Sequence, residues 1–144
     1  MLGFGKRKER KEMKKEIKQN KKDQKALEAL AKAREKVEPK VVKKISKQLN
    51  RNETIEGVVA FGSSNFYIVK TSKERYFVSG MVAGFSGLTK AVLGREDILG
   101  LANISGSFVL ITTVGKIRIT TEVLLPAMQN VLYEEIQNLF KRGI

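Results

Sequence analysis

The spacing of apolar residues changes twice along this chain. Between Lys6 and Glu38 there is no Gly or Pro, and the composition is dominated by Lys, Glu, Gln, Ala, Arg and Leu. All of these are good helix formers, so the stretch reads as helix. Its only apolar residues before Ala26, apart from the first few positions, are Met13 and Ile17, one turn apart. From Ala26 to Val37, "ALEALAKAREKV", it turns more apolar. The first part is therefore expected to project into solvent and the second to pack on something. Pro39 suits the first turn of a new helix. In residues 39–50, Val41, Val42, Ile45 and Leu49 share one helical face, and Lys40, Lys43, Lys44 and Lys47 take the other. "NRNET" ends this second, amphipathic helix.

From Thr54 the period becomes that of strands. "TIEGVVAF" (54–61), "NFYIVKT" (65–71) and "RYFVSGM" (75–81) are β-branched and aromatic, with turn-like "GSS" and "SKE" between them. "LTKAVLG" (88–94), "ILGLANI" (98–104), "SFVLITT" (107–113) and "KIRITTE" (116–122) complete seven strand candidates at meander spacing. "VG" at 114–115 predicts a tight hairpin between the last two. Pro126 opens a final helix in which Met128, Val131, Leu132, Ile136, Leu139 and Phe140 form one apolar stripe. Lys141, Arg142 and Gly143 close it. The expected class is α+β: helices first, then a bent antiparallel sheet or barrel of seven strands, capped by a C-terminal helix. The expected division is a basic helical arm at 1–38, an amphipathic helix and linker at 39–51, and a β domain at 52–144.

Charge sharpens that division. The 144-residue chain carries 28 Lys and Arg against 15 Asp and Glu, a net +13. Residues 1–51 hold 19 basic and 7 acidic residues, while residues 52–144 hold 9 and 8. A near-neutral domain thus carries a strongly basic arm. The chain has no His and no Cys. That removes thiol nucleophiles, imidazole bases, His or Cys metal ligands and disulfides. Ser63, Ser64 and Tyr67 have no base to activate them, and Glu96–Asp97 reads as a polar turn before a strand. No catalytic residue, metal site or cofactor is expected. No apolar run approaches the ~20 residues of a membrane span, and the basic start leads into more charge instead of an apolar signal core. A cytoplasmic, non-enzymatic protein is the expectation.

The segment "RYFVSG…GLTKAVLGREDILGLANISGSFVLITTVGKIRIT" resembles the bacterial pleckstrin-homology-like domains. The matching pieces are Glu96–Asp97 before Ile98, then Leu110–Thr112, Gly115 and Ile117–Ile119. The resemblance covers roughly residues 52–142 and takes in nothing of residues 1–38. It implies a bent seven-stranded sheet plugged by the last helix, used as a binding or assembly module. Some eukaryotic relatives hold phosphoinositides with Lys and Arg in the first strand–strand loop. Here that loop, Gly62 to Asn65, has no basic residue, so a phosphoinositide pocket is not expected at that place.

Candidate binding residues lie in the arm. Lys11, Lys14, Lys15, Lys18, Lys22 and Lys25 fall on one helical face. They would form a cationic stripe about 21 Å long. Lys6, Arg7, Lys8 and Arg10 extend it, and Glu9, Glu12, Glu16 and Asp23 interrupt it. A stripe of that length spans several phosphates of a nucleic-acid strand. It is Lys-heavy, and Phe4 is its one aromatic residue. Contacts would then be phosphate-directed and weakly sequence-specific, without base stacking. The competing reading is a solvated helix laced with pairs such as Lys8–Glu12 and Glu28–Lys32. Leu2 and Phe4 beside the basic run are a small apolar foothold for an anionic membrane surface.

"GMVAGFSG" (80–87) reads as a Gly-rich turn, with Met81, Val82 and Phe85 as candidate protein contacts. "TVGKIRIT" lacks the glycine spacing of a phosphate loop and leads into a strand, so it reads as a hairpin. Met13, Ile17, Leu27 and Leu30 taken together are too irregular for sustained heptads. Self-association is expected instead through residues 26–49. Two functional expectations follow. One is an adaptor that holds a polyanion, a nucleic-acid backbone first, while its β domain makes protein contacts. The other is an interaction or inhibitor protein of the kind bacteriophages use, directed at a host protein or nucleoprotein. A peripheral membrane module is the remaining alternative.

Overall fold

The computed structural model describes residues 2–82, 87–121 and 124–141, with side chains described from Arg10 onward. The chain folds as one long N-terminal helix, α1 (Leu2–Ser46), seven strands and a C-terminal helix, α2 (Pro126–Phe140). The strands are β1 (Ile55–Val59), β2 (Tyr67–Thr71), β3 (Arg75–Val82), β4 (Leu88–Gly94), β5 (Ile98–Ile104), β6 (Ser107–Thr112) and β7 (Gly115–Arg118). A single 3-10 turn, Arg95–Asp97, joins β4 to β5. No helix among the described residues is long and apolar enough to cross a membrane.

The helical region departs from the expected pair of helices. Pro39 does not open a second helix; it lies inside α1. A proline there forfeits the hydrogen bond to the carbonyl four residues back and costs about 3 kcal/mol. Packing on both sides of it holds the helix together. Leu30 is buried in the main core with α2, and Val41 and Ile45 are fully buried on the sheet. Burying Val41 and Ile45 alone contributes about 1.5–3 kcal/mol each, enough to offset the proline.

Every strand pair is antiparallel, and the order is β1-β2-β3-β7-β6-β5 with β4 on the other side of β3. β3 is the hub. Its residues 76–79 pair with β2, 75–81 with β4, and 81–82 with β7. The sheet is thus two meanders, β1–β4 and β5–β7, curled into a half-barrel and joined at the end of β3. Gly80 sits at that junction, where an added Cβ would lie 2.1 Å from the Arg118 carbonyl oxygen. Only a residue without a side chain lets the β7 backbone come so close. The β5–β6 hairpin turns on Ser105 (φ 51) and Gly106 (φ 89), the two left-handed residues a two-residue turn requires. The last hairpin turns on Thr113–Val114, with Thr112 paired to Gly115, one residue earlier than the Val-Gly signal predicts.

Strand alternation builds two cores. Ile68, Tyr76, Val78, Phe108, Leu110 and Ile117 point into the half-barrel, where Leu132, Ile136 and Phe140 of α2 plug it. The Tyr76 hydroxyl donates to the Leu139 carbonyl at 3.0 Å and Arg95 Nε to the Phe140 carbonyl at 2.9 Å, which pins the end of α2. Tyr67, Val69 and Phe77 point the other way and are covered by Val41 and Ile45 of α1. The sheet at β1–β3 is therefore buried on both faces, and the last third of α1 is part of the domain. Truncating Ile45→Ala is expected to lower unfolding free energy by about 2–5 kcal/mol. Gly80→Ala should cost about 1–3 kcal/mol through the clash with the β7 backbone. Urea titration of the three proteins measures both.

Candidate polyanion-contact helix

α1 divides into a docked part and a free part. Ala26, Leu30, Val41 and Ile45 are buried against the body, and these apolar residues of 26–49 are thereby satisfied within their own chain. N-terminal to them, residues 10–25 are exposed, except for Asp23, which is half-buried. At 1.5 Å per residue, residues 2–25 extend about 36 Å. Arg10, Lys11, Lys14, Lys15, Lys18, Lys22 and Lys25 all lie on this exposed segment. Lys6, Arg7 and Lys8 are helical in backbone, but their side chains lie outside the described part.

The helical offsets put Lys11, Lys14, Lys15, Lys18, Lys22 and Lys25 along one face, and the continuous helix makes that face real. Among the described residues no ion pair joins two residues of 10–33; the pairs that form are Arg34–Glu38, Arg34–Glu135, Lys70–Glu56 and Arg75–Glu53. The one side-chain hydrogen bond within the segment is neutral to acidic, Gln19 Nε2 to Asp23 Oδ1 at 2.9 Å. Glu28 and Lys32, paired in the solvated-helix reading, are apart. The described cations of the arm, Arg10 to Lys25, carry their charge into solvent without an ion-pair partner in the chain.

Two polar knots fix the direction of this arm. In the first, Arg34 donates from Nε to Glu38 at 2.7 Å, from Nη1 to Glu135 of α2, and from Nη2 to the Val58 carbonyl at 3.3 Å. Glu38 also accepts from the Ala60 N–H at 3.1 Å. Burial opposes the charge on Arg34, but Glu38 and Glu135 outweigh it and hold the guanidinium above its ordinary value. Burial pushes the Glu38 carboxyl up, against the hydrogen bonds from Arg34 and Ala60. In the second knot, at the far end of α1, Glu53 is buried. It accepts from Arg75 at 2.6 and 2.9 Å, from the Thr71 hydroxyl at 2.5 Å and from the Asn50 N–H at 2.8 Å. The Arg75 hydrogen bonds, assisted by Thr71 and Asn50 and opposed by burial, lower the Glu53 carboxyl to about 2. Arg75 also lies 5.0 Å over the Phe77 ring and reaches the Gln48 carbonyl at 3.4 Å. None of these five charged groups belongs to the exposed arm; they are the mount on which it sits.

The other candidates are placed differently from their sequence reading. Met81 and Val82 belong to β3 and are half-buried, so they are strand residues and not loop residues. Phe85 lies outside the described residues. Met81 pairs across the sheet with Leu88, and Phe77 with Val92. Leu88 and Val92 are 47% and 51% exposed on the outer strand β4, a small apolar edge that the "LTKAVLG" alternation encodes but that the candidate list left out. An open groove of about 610 Å³ runs along α1 beside Ala31, Glu35, Pro39 and Val42. A smaller notch lies between Asn103 and the α2 residues Gln129 and Tyr133. Among the described residues no three His, Cys, Asp or Glu side chains converge as a metal site. Comparison with family models, curated proteins and solved structures gives no match to this chain.

The Glu53 knot predicts an acid dependence. Its carboxyl is about 2 in the folded protein against about 4.3 when unfolded. Its contribution is therefore complete above about pH 4.3 and disappears as the pH falls toward 2. The urea midpoint of the parent protein should drop through that window. Glu53→Gln should start lower at neutral pH and lose less on acidification.

Proposed function

We propose that this chain is a non-enzymatic adaptor that presents a cationic helix to a polyanion, a nucleic-acid backbone in first place, while its β domain makes protein contacts. The observation that carries the reading is the exposed, unpaired cationic face of Arg10 to Lys25 on a helix that leaves the body. Nearly all of the net charge is in the same third of the chain. Self-repulsion of this kind opposes compactness, and a polyanion relieves it by neutralisation and counterion release. Lysine predominates, and it acts as a point charge, not as a bidentate reader of base edges. Affinity on this reading is high at low salt and nearly indifferent to sequence.

The β domain is proposed to be pleckstrin-homology-like. Two antiparallel meanders with a C-terminal helix plugging the half-barrel support that assignment. It adds a scaffold role and no chemistry.

Binding of the full chain to duplex DNA, RNA and anionic vesicles across a salt series tests the reading. The affinity for nucleic acid should fall log-linearly with salt, with a slope of about −0.9 per phosphate engaged. Lys14→Gln with Lys18→Gln should make that slope shallower by about two such units and weaken all DNA sequences alike. Binding only to vesicles assigns the arm to a membrane surface, and binding to none of the three at low salt overturns the proposal.

A further inference from the structure

The arm has a second face. Leu30 belongs to the body core, and Ala26 is buried beside it. With Leu30 assigned inward, six of the remaining neutral residues of the helix fall into a regular spacing. Met13, Ile17, Asn20, Gln24, Leu27 and Ala31 follow one another at intervals of 4, 3, 4, 3 and 4 residues. That is an unbroken a/d seam of nearly three heptads, with Ile17, Gln24 and Ala31 at a and Met13, Asn20 and Leu27 at d. No charged residue interrupts it, in a segment where 9 of 19 residues are charged. Met13 and Ile17 are 61% and 52% exposed, so nothing in the monomer covers them. Five of the six lysines, at b and f positions, lie on the far side of the helix, with Lys18 about 120° from Gln24 and Lys22 about 140° from Ile17 in projection, while Lys14 at e flanks the seam. The body borders the seam only at its C-terminal end, where Leu27 is half-buried. Ala31 points about 100° away from Leu30, and it opens into the uncovered groove that continues past Glu35, Pro39 and Val42.

We infer that this seam pairs with the same seam of a second copy as a short, parallel, in-register coiled coil. Charge selects the partner and its direction. Along the seam the g positions are Glu16, Asp23 and Leu30 and the e positions Lys14, Lys21 and Glu28, so acid stands at g and base at e as far as Asp23. A parallel pair sets g against the e position five residues on. Glu16 then faces Lys21 in both directions across the two-fold axis, and Glu9 with Lys14 is the preceding g–e match in the sequence. An antiparallel pair would set acid against acid and base against base. The match ends at Asp23, whose opposite number would be Glu28, close to where the helix docks on its own body. Asn20 and Gln24 meet their own counterparts across the axis, where each amide has both a donor and an acceptor to offer. Such polar core positions fix register and strand number at some loss of stability. The three acidic residues spaced by seven thus have a role as partner selectors and are not random breaks in a basic stripe.

This inference does not rest on the polyanion reading, and its test contains no nucleic acid. The molar mass of the full chain is measured by sedimentation over a concentration series, with circular dichroism confirming that each variant folds. A reversible dimer is expected, weakened at least about tenfold by Ile17→Glu. Glu16→Lys should weaken it, and Glu16→Lys with Lys21→Glu should restore it. The chain has no cysteine, so Met13→Cys introduces one thiol, which should oxidise to a disulfide-linked dimer because d faces d only in a parallel pair. Lys18→Cys, on the far face, should not. A monomer up to about 0.5 mM, a dimer indifferent to Ile17→Glu, or a dimer that Met13→Cys fails to cross-link would each overturn the proposal. If Ile17→Glu does not fold, the two cysteine variants decide it alone.

Discussion

The burial of α1 on the outer face of the sheet is the constraint on which the molecule depends. Tyr67, Val69 and Phe77 alternate out of the half-barrel because Ile68, Tyr76 and Val78 alternate in. An uncovered outer face of three large apolar residues is a liability for any isolated domain. Val41 and Ile45 remove it. Once they dock, the axis of α1 is fixed, and the helix carries its described N-terminal residues away from the body. The Arg34 knot then sets the helix against α2 and the end of β1. The last third of α1 therefore packs into the same cores as the sheet, and around residue 51 the chain changes both from basic to near-neutral and from helix to strand.

The proline shows how tertiary packing overrides a local signal. Position 39 reads as a helix start because proline is suited to a first turn, and nothing nearby contradicts it. What carries the helix through is long-range. Leu30 and Arg34 on one side and Val41 and Ile45 on the other are all held by residues at least 15 positions downstream, among them Val58, Tyr67 and Glu135. Two half-helices anchored collinearly leave little gain in breaking at the junction. The lost hydrogen bond is tolerated where the groove beside Glu35 and Pro39 is open.

The β region was largely legible in the sequence. All seven strands and the Pro126 helix stand where alternation and turn residues put them, and β4 and β5 match residue for residue. Turn chemistry and a period of two are local properties, and they suffice in a meander. What alternation does not encode is which strand joins the meanders. That follows from the close approach of β7 at Gly80, visible in sequence only as a glycine inside a strand. The cationic face was legible too, since it needs only a continuous helix and an offset count. The neutral seam was not. Leu30 sits one residue from the a/d frame, and until the structure assigns it to the α2 contact it makes the repeat look broken.

On the two proposals together, the faces of the arm are physically coupled, although their centres lie about 150° apart around the helix. Residues 5–25 hold 11 basic and 4 acidic residues. Pairing two such segments in parallel places like charges along the same ~30 Å of helix, and the g–e matches offset only part of that repulsion. A polyanion lying on the lysine faces neutralises the remainder, so it favours the pair. By linkage, the pair must then bind the polyanion more tightly than a single arm does, and by the same factor. Salt has opposite effects on the two events. It screens repulsion between the arms and so assists pairing, while it competes with the polyanion for the lysines and so weakens binding. If the proposed pairing and the proposed polyanion contact both hold, a helix with one neutral seam and one cationic face would make them mutually reinforcing at low ionic strength and separable at high ionic strength.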